Sequence, residues 1–252
     1  MQKTIIVIPC YNEAGRLKEE EFILLSRQPD LGLLFVNDGS QDNTEQLLKD
    51  IIEKTGNSVQ LLSLEKNQGK AEAVRCGMLQ AISQGADITG FIDADMATPT
   101  QEVLRLLEEA KKNEHAVILG SRVKLLGAEI TRRPIRHYIG RIFATFASLV
   151  LRLSVYDTQC GAKLFYASSA LKDALAEPFQ SRWIFDVELI GRLLIGSETS
   201  KSLKEKDFIE IPLKVWKDVQ GSKIMPIDFL KAAKELFQLA IDLELRRKKL
   251  LR

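Results

Sequence analysis

Two aspartates one residue apart, Asp93 and Asp95, are the side chains in this chain best suited to chemistry. They follow the apolar run Ile88 to Ile92, which is typical of a buried strand. We expect a helix directly after them, with Thr98 as its cap and Pro99 in its first position. Two hard oxygen ligands on one short turn suit Mg²⁺ or Mn²⁺, which takes few protein carboxylates together with substrate phosphates. Because Asp-x-Asp also occurs in solvated turns and helix caps, the surrounding elements must decide.

The two aspartates belong to a regular alternation of apolar runs and helical segments. The apolar runs are Thr4 to Ile8, Leu33 to Val36, Val59 to Leu64, Ile88 to Ile92 and Ala116 to Leu119. Continuous runs of this kind are typical of strands that are buried on both faces. Strands and helices in alternation indicate a parallel sheet with right-handed crossovers. The sequence therefore predicts an α/β fold with a mostly parallel central sheet flanked by helices.

Each predicted strand ends in a polar or glycine-bearing cluster. The clusters are Pro9 to Glu13, Asn37 to Ser40, Glu65 to Lys70, Asp93 to Asp95 and Gly120 to Arg122. In a parallel sheet these ends lie at one edge, where open α/β sheets bind ligands. Tyr11 can stack on a base and Asp38 can accept hydrogen bonds from a base or ribose. Neither a Gly-x-Gly-x-x-Gly fingerprint nor a Gly-x-x-x-x-Gly-Lys-Ser/Thr loop follows the first strand.

The chain changes character after about Leu125. Five arginines occur with no acidic residue between positions 130 and 157, and apolar residues recur there at helical spacing: Arg132, Arg133, Arg136, Arg141 and Arg152. Such a basic amphipathic helix either lies on an anionic membrane surface or packs on the sheet, and the sequence favours neither. A second, broadly apolar helix is predicted from Ile227 to Leu245, ahead of a basic tail.

Two later stretches place acids beside aromatic or polar neighbours. Asp157 opens a polar turn that leads into a short strand, while Asp186 and Glu188 follow Trp183 at the start of a predicted helix. Acids beside aromatic rings can have shifted pKa values, although Glu188 fits a helix N-terminal charge better. The alternating segment Phe208 to Trp216 predicts one further strand.

The composition excludes several classes of protein. With 45% hydrophobic and 28% charged residues and a net charge of +2, the chain gives no reason to expect nucleic acid as a partner. Cys10, Cys76 and Cys160 lie too far apart for a zinc motif or a disulfide framework. No signal peptide and no membrane-spanning segment are expected, because the first residues already read as a strand and no apolar run reaches eighteen residues. These features favour a cytoplasmic location.

The ordered set of motifs resembles the inverting glycosyltransferases of the GT-A fold (family 2 type). The matching motifs are Ile8 to Glu13, Asn37 to Ser40, Asn67 to Lys70, Asp93 to Asp95 and Gly120 to Arg122. Three later stretches resemble the branch that makes dolichyl-phosphate and polyprenyl-phosphate β-glucosides: Asp157 to Phe165, Arg182 to Glu188, and Gly221 to Lys223. Asn37 stands where the family usually has an aspartate.

The resemblance implies that a UDP-sugar is the donor and that Mg²⁺ or Mn²⁺ bridges its diphosphate. Asp93 and Asp95 would be the metal ligands. The implied donor-binding residues are Pro9, Tyr11, Asn12, Glu13, Asp38, Gly69, Lys70, Asp93 and Ala94. Residues 1–124 would form the nucleotide-sugar part of a catalytic domain, residues 125–225 its acceptor part, and residues 226–252 a basic amphipathic helix.

The resemblance also implies a polyprenyl phosphate as acceptor, with peripheral contact to the inner face of a membrane. Cations would meet the acceptor phosphate: Arg122, Arg132, Arg133 and Lys223. The residues closest to the reaction would be Asp95, Asp157, Asp186 and Arg122. A phosphate acceptor is already anionic near neutral pH and needs no general base. A hydroxyl acceptor would need one, and Asp157 or Asp186 would then be the candidates.

Three alternatives stay open at this point. The same fold and donor could serve a soluble or saccharide hydroxyl acceptor, which the lack of a membrane span favours. A nucleotidyltransferase would be expected to carry a glycine-rich, arginine-bearing loop after the first strand, and Pro9 to Gly15 matches that poorly. A non-catalytic nucleotide-sugar binding module could keep Asp38 but lose Asp93 and Asp95, and both are present.

Overall fold

The computed structural model describes residues 2–131, 134–219 and 226–250, except for the side chains of residues 134–137 and 226–230. In this part of the chain, a mixed seven-stranded sheet forms the centre of the protein. The order of strands is β3-β2-β1-β4-β7-β5-β8, and a small second sheet pairs β6 with β9. The strands are β1 (Thr4–Cys10), β2 (Leu31–Asn37), β3 (Val59–Ser63), β4 (Ile88–Ile92), β5 (Val117–Ser121), β6 (Glu129–Thr131), β7 (Ala162–Tyr166), β8 (Phe208–Pro212) and β9 (Val215–Lys217).

Helices cover both faces of this sheet, as the predicted α/β fold requires. They are α1 (Glu19–Ser26), α2 (Thr44–Thr55), α3 (Lys70–Ser83), α4 (Thr100–Lys111), α5 (Pro134–Leu151), α6 (Ser169–Ala176), α7 (Phe185–Ile195) and α8 (Pro226–Leu250). Strands β1 to β4 pair in parallel, and β5 pairs in parallel with β8. The prediction of a mostly parallel sheet is thus confirmed, with β7 as the exception that runs antiparallel to both β4 and β5.

The alternation of side chains along β1 explains its continuous apolar sequence. Ile5 and Val7 point into one core cluster, while Ile6 and Ile8 point into a second cluster on the opposite face. Residues of α3, α5, α6, α7 and α8 contribute to the first cluster, and residues of α1, α2 and α4 to the second. Since both faces are buried, the strand needs apolar residues at every one of these positions.

Two local predictions were wrong. The segment predicted as one strand from Phe208 to Trp216 is divided into β8 and β9, which belong to different sheets. The chain leaves the main sheet after Pro212, which has no N–H to donate. Helix α4 begins at Thr100 with Pro99 as its N-cap, one residue later than expected. The carboxylate of Glu21 on α1 accepts a hydrogen bond from the Thr100 N–H (3.2 Å), so a distant side chain takes the capping role assigned to Thr98.

Helices α5 and α8 pack beside each other and against α7. Ala144, Ala147 and Leu151 on α5 are buried, as are Leu239 and Leu243 on α8. An ion pair between Arg152 and Glu244 joins the two helices at the surface (2.9 Å). None of the helices in the described part of the chain has the length and hydropathy needed to cross a bilayer.

The close approach of β4 and β7 leads to a test of the fold. A Cβ atom on Gly90 would lie 2.0 Å from the carbonyl oxygen of Lys163, so Gly90→Ala must push two paired strands apart. We expect the free energy of unfolding to fall by about 3 kcal/mol, as measured by urea denaturation. Gly15→Ala is the matched control, because nothing lies within 4 Å of its added Cβ. Equal stability of the two variants would contradict the close strand contact.

Candidate active site

A cavity of about 650 Å³ opens at the carboxyl edge of the sheet. Most of the residues singled out from the sequence line it: Pro9, Tyr11, Glu13, Asp38, Gly69, Lys70, Asp93, Ala94, Asp95, Arg122, Asp157 and Asp186. They come from the ends of β1, β2, β4 and β5, from the start of α3, from the loop before β7 and from the first turn of α7. Arg132, Arg133 and Lys223 lie outside the described residues, so their assignment stays a prediction.

The turn that carries Asp93 and Asp95 is fixed by backbone hydrogen bonds. The Asp93 N–H donates to the carbonyl of Gly161 (3.0 Å), and the Met96 N–H donates to the carbonyl of Asp93 (3.1 Å). Met96 takes a left-handed conformation with φ of 49°, which tightens the turn. The Asp95 carboxylate accepts a hydrogen bond from the Ala97 N–H (3.0 Å). The backbone therefore holds the two aspartates in place.

The two carboxylates differ in their surroundings. Asp93 forms an ion pair with Lys70 (2.5 Å), and both side chains are partly exposed to the cavity. Burial, followed by the nearby charge of Asp93, raises the pKa of Asp95 above its usual range. A raised pKa here means that the second negative charge on the turn is not fully compensated. A divalent cation would compensate it, so this donor set fits such an ion.

Gly161 allows the Asp93 side chain to occupy its position. A Cβ atom at residue 161 would lie 1.9 Å from the Oδ2 atom of Asp93. Only a residue without a side chain can let the carboxylate lie against the backbone of the loop before β7. The same loop therefore shapes both the backbone and the carboxylate of Asp93.

Asp38 organises the loop that precedes α3. Its buried carboxylate accepts hydrogen bonds from the N–H groups of Gln68 (2.7 Å) and Gly69 (2.8 Å), and from the side-chain amide of Asn67 (3.0 Å). Burial raises the pKa of Asp38, although the two backbone N–H groups act in the opposite direction. Asp38 thus lines the cavity and also fixes the loop from which Lys70 extends.

The turns after β1 and β2 are tied together by polar side chains. The Asn12 N–H donates to the hydroxyl of Ser40 (3.1 Å), and the side-chain oxygen of Asn12 accepts from the Gln41 N–H (2.8 Å). Asn12 does not line the cavity, so its assignment to donor binding stays a prediction. Asn37 donates to Glu45 (3.1 Å) and accepts from the Ser40 N–H (3.1 Å). An ionised aspartate could not donate this hydrogen bond to Glu45. The contact therefore explains why an asparagine is suited to position 37.

Arg122 and Asp157 form a buried bidentate ion pair. The Nε atom of Arg122 lies 2.7 Å from one carboxylate oxygen, and Nη2 lies 2.8 Å from the other. Burial opposes the charge on Arg122, but Asp157 outweighs burial and raises the pKa of the guanidinium. Glu210 on β8 accepts hydrogen bonds from the N–H groups of Tyr156 (2.8 Å) and Asp157 (2.6 Å). The carboxylate of Glu210 therefore anchors the loop that holds Arg122.

Asp186 is paired with a lysine that lies beneath the cavity. The Nζ atom of Lys163 is 2.7 Å from the Asp186 carboxylate, and the Lys163 side chain is 0% exposed. Lys163 also donates to the carbonyl of Cys160 and lies 5.2 Å from the centre of the Phe91 ring. Glu188 lies in the first turn of α7, as expected, and pairs with Arg192 (2.6 Å).

Several residues of the site were not found from the sequence. Lys163 and Glu210 contact partners that are 23 and about 54 positions away. Lys163 lies inside the recognised stretch Asp157 to Phe165 but had no role assigned, and no motif includes Glu210. Arg182 and Arg141 line the cavity, but the motifs around them gave neither a specific role. The Cδ atom of Arg182 lies 4.0 Å from the position of an added Cβ on Gly69, on the Asp38 side of the cavity. The sequence placed Arg182 in the recognised stretch Arg182 to Glu188 and Arg141 in the basic segment after Leu125.

The Arg122–Asp157 pair leads to a test of stability. Asp157→Asn would leave Arg122 buried without a compensating charge, so we expect the free energy of unfolding to fall by about 3 kcal/mol. Glu109→Gln, which breaks the more exposed Glu109–Lys112 pair, should cost less than about 1 kcal/mol. Urea denaturation at pH 7 measures both. Losses of the same size would show that the buried pair adds nothing beyond a surface contact.

Comparison with known proteins gives the same assignment by a separate route. The model of the family described as "Glycosyl transferase family 2" matches residues 5–173. A dolichyl-phosphate beta-glucosyltransferase of Trichomonas vaginalis is 32% identical over 252 residues, which cover 94% of this chain and 71% of the relative. The Saccharomyces cerevisiae protein of the same name is 31% identical, with 92% and 72% covered.

Solved structures share the fold. Glucosyl-3-phosphoglycerate synthase from Mycobacterium tuberculosis, in complex with UDP, superimposes with a TM-score of 0.65 at 18% identity, covering 96% of this chain and 80% of that one. The same enzyme with Mn²⁺, UDP-glucose and phosphoglyceric acid gives a TM-score of 0.65 at 17% identity, with 96% and 79% covered. The family model covers well over half of the chain and agrees with the site geometry. The chain belongs to glycosyl transferase family 2 and is a glycosyltransferase.

Proposed function

We propose that this protein transfers glucose from UDP-glucose to a polyprenyl phosphate of the dolichyl-phosphate type, with inversion at the anomeric carbon. The printed names of relatives with about 30% identity over most of the chain support the glucosyl group and the lipid phosphate. The solved structure with UDP-glucose and Mn²⁺ supports the donor and a divalent cation, through the shared fold.

The ion pairs formed by the two candidate bases, Asp157 and Asp186, support a phosphate acceptor over a hydroxyl acceptor. Asp157 is bound bidentately by Arg122, and Asp186 is paired with the buried Lys163. Both carboxylates are already bound by a cation, so neither is free to accept the proton of a hydroxyl group. A hydroxyl acceptor needs a base, whereas a phosphate acceptor is already anionic. The site therefore suits a phosphate better than a hydroxyl group.

The donor would lie over the ends of β1, β2 and β4. Tyr11 lines the wall where a base can stack, and Asp38 keeps the loop with Lys70 in place. A divalent cation held by Asp93 and Asp95 would neutralise the charge that builds on the diphosphate as the sugar–phosphate bond breaks. Lys70, now paired with Asp93, can turn one of its N–H donors toward the same phosphates.

The acceptor would meet the donor from the side of Arg122. The guanidinium of Arg122 is fixed by Asp157, and its carbon lies 5.4 Å from the centre of the Trp216 ring. Arg122 therefore needs little rearrangement to bind the acceptor. Attack by a phosphate oxygen opposite the departing UDP converts an α-linked donor sugar into a β-linked product. Arg122, which is held by Asp157, would orient the acceptor phosphate, and this phosphate needs no proton transfer because it is already anionic.

Two exposed apolar rows support peripheral contact with a membrane. On α5 the row comprises Tyr138, Ile142, Phe146 and Leu149, and on α8 it comprises Phe237, Ile241 and Leu245. Tyr138 and Phe237 are each 70% exposed. The opposite faces of both helices are buried in the protein, so each helix is apolar on two sides. An apolar face on a surface helix can enter the boundary of a lipid layer.

The donor and acceptor can be tested together by following the release of nucleotide. We expect UDP-glucose with farnesyl phosphate to give the highest rate, and EDTA to abolish it, because the charge on the diphosphate would lose its counter-ion. GDP-mannose, farnesol and phosphoglyceric acid serve as the alternative donor and acceptors. A preference for GDP-mannose would overturn the assigned donor. Faster transfer to farnesol or phosphoglyceric acid than to farnesyl phosphate would overturn the assigned acceptor.

Membrane contact can be tested by flotation with vesicles that contain anionic lipid. We expect the wild type to float and Phe237→Glu to remain largely in the dense bottom fraction, because a charge in the apolar row opposes insertion. Leu24→Glu is the matched control, since Leu24 is an exposed leucine on α1, on the opposite face of the sheet. Equal flotation of both variants, or no flotation of the wild type, would rule out contact through α8.

A further inference from the structure

Arg141 on α5 is held in a defined position at the wall of the cavity. Its Nη1 atom donates to the carbonyl oxygen of Tyr156 (2.8 Å), and its guanidinium carbon lies 3.4 Å from the centre of the Tyr156 ring. Among the described residues no carboxylate lies within ion-pair distance of Arg141. No described carboxylate therefore pairs with Arg141, which lines the cavity in a half-buried position.

One short segment of chain positions both Arg141 and Arg122. The carbonyl of Tyr156 receives Arg141, and the carboxylate of the next residue, Asp157, receives Arg122. Glu210 fixes this segment by accepting hydrogen bonds from both of its N–H groups. Two guanidinium groups are thus brought to one wall of the cavity by a dipeptide that is itself anchored to the sheet.

The position of Arg141 along α5 indicates which substrate it meets. Gly140, Phe143 and Ala144 line the cavity from the same helix, while Ile142 belongs to the exposed apolar row. Arg141 therefore lies where the polar cavity meets an apolar surface. An anion that carries an apolar chain can place its charge at Arg141 and its chain along the outside of α5.

We propose that Arg141, together with Arg122, binds the phosphate of the lipid acceptor. This assignment rests on the proposed function and adds a residue to it. A guanidinium has five N–H donors, and Arg141 uses one of them on Tyr156, so four are left for phosphate oxygens. Stacking on the Tyr156 ring keeps the planar group oriented, which lowers the entropy lost on binding.

The donor side of the cavity has its own cations. Lys70 is paired with Asp93 beside the proposed metal ligands, and Arg182 lies near Gly69 on the side of Asp38. These residues suffice for a diphosphate that also carries a divalent ion. Arg141 lies instead on the helix next to the loop of Asp157, which separates it in the fold from the ends of β1 and β2.

The test compares Arg141→Met, Arg141→Lys and Arg27→Met with the wild type. Arg27 is an exposed arginine after α1 on the opposite face of the sheet, so it controls for the loss of one positive charge. With farnesyl phosphate in detergent, we expect Arg141→Met to raise the KM for the acceptor about tenfold or more. A change of this size corresponds to the loss of one charge-assisted hydrogen bond. The KM for UDP-glucose should stay within about twofold of the wild type. Arg141→Lys should recover part of the loss, and Arg27→Met should show none.

Binding measured without turnover separates this proposal from the proposed function. The fluorescence of Trp183 and Trp216, which line the cavity, can report binding of farnesyl phosphate, farnesol, and UDP with Mn²⁺. If the wild type transfers no glucose but binds farnesyl phosphate more tightly than Arg141→Met does, the function fails and the role of Arg141 stands. Unchanged affinity for farnesyl phosphate in Arg141→Met overturns the role of Arg141. An equal loss of affinity for UDP overturns it too, since Arg141 would then serve the donor.

Discussion

The free-energy cost of gathering carboxylates in one cavity governs how this site is built. A buried carboxylate is tolerated only when a cation or several N–H groups compensate its charge. Arg122 compensates Asp157, Lys163 compensates Asp186, and backbone N–H groups compensate Asp38. Burial raises the pKa of both Asp38 and Asp95, and at Asp95 the next cause is the charge of Asp93 on the same turn. Two carboxylates thus lie on one turn, where a divalent cation would compensate their charge.

The antiparallel strand β7 makes this arrangement possible. A parallel strand in its place would bring its carboxyl end to the site, whereas β7 brings its beginning and the loop before it. That loop provides the carbonyl and the bare Cα of Gly161 against Asp93, while the strand itself provides Lys163 beneath Asp186. Ala162, the first residue of β7, pairs with Ile92, the last residue of β4. This register places the loop before β7 beside the turn that carries Asp93. A single antiparallel strand and the loop before it therefore hold both Asp93 and Asp186 in place.

Much of the fold follows from patterns that are local in sequence. The apolar runs and the polar clusters after them were enough to predict the parallel part of the sheet and the edge at which Asp38 and Asp93 meet. The sequence did not show that Asn12 ties the turns after β1 and β2 together. The motif around Asp157 was recognised, but its tight pairing with Arg122 was not.

The residues that could not be predicted depend on contacts between distant parts of the chain. Glu210 lies on a half-buried edge strand, and nothing in its surroundings indicates that it anchors the loop of Asp157. Lys163 lies in a strand whose direction the sequence does not specify. Arg141 was one of five arginines in a predicted basic helix, and its contact with Tyr156 becomes visible only in the folded structure. Pattern reasoning thus identifies the acids and the cations Lys70 and Arg122, and leaves the pairing between acids and cations to the tertiary structure.

Helix α5 connects the chemistry of the cavity to the physical nature of the proposed acceptor. A polyprenyl phosphate has an anionic head that must reach the donor and an apolar chain that must stay out of water. The inner face of α5 carries Arg141 at the cavity wall, and its outer face carries Ile142 and Phe146 in contact with solvent. Exposing such side chains is unfavourable unless an apolar environment covers them. A lipid layer along α5 would remove that cost and would deliver the phosphate head to the side of the cavity where Arg122 is already held.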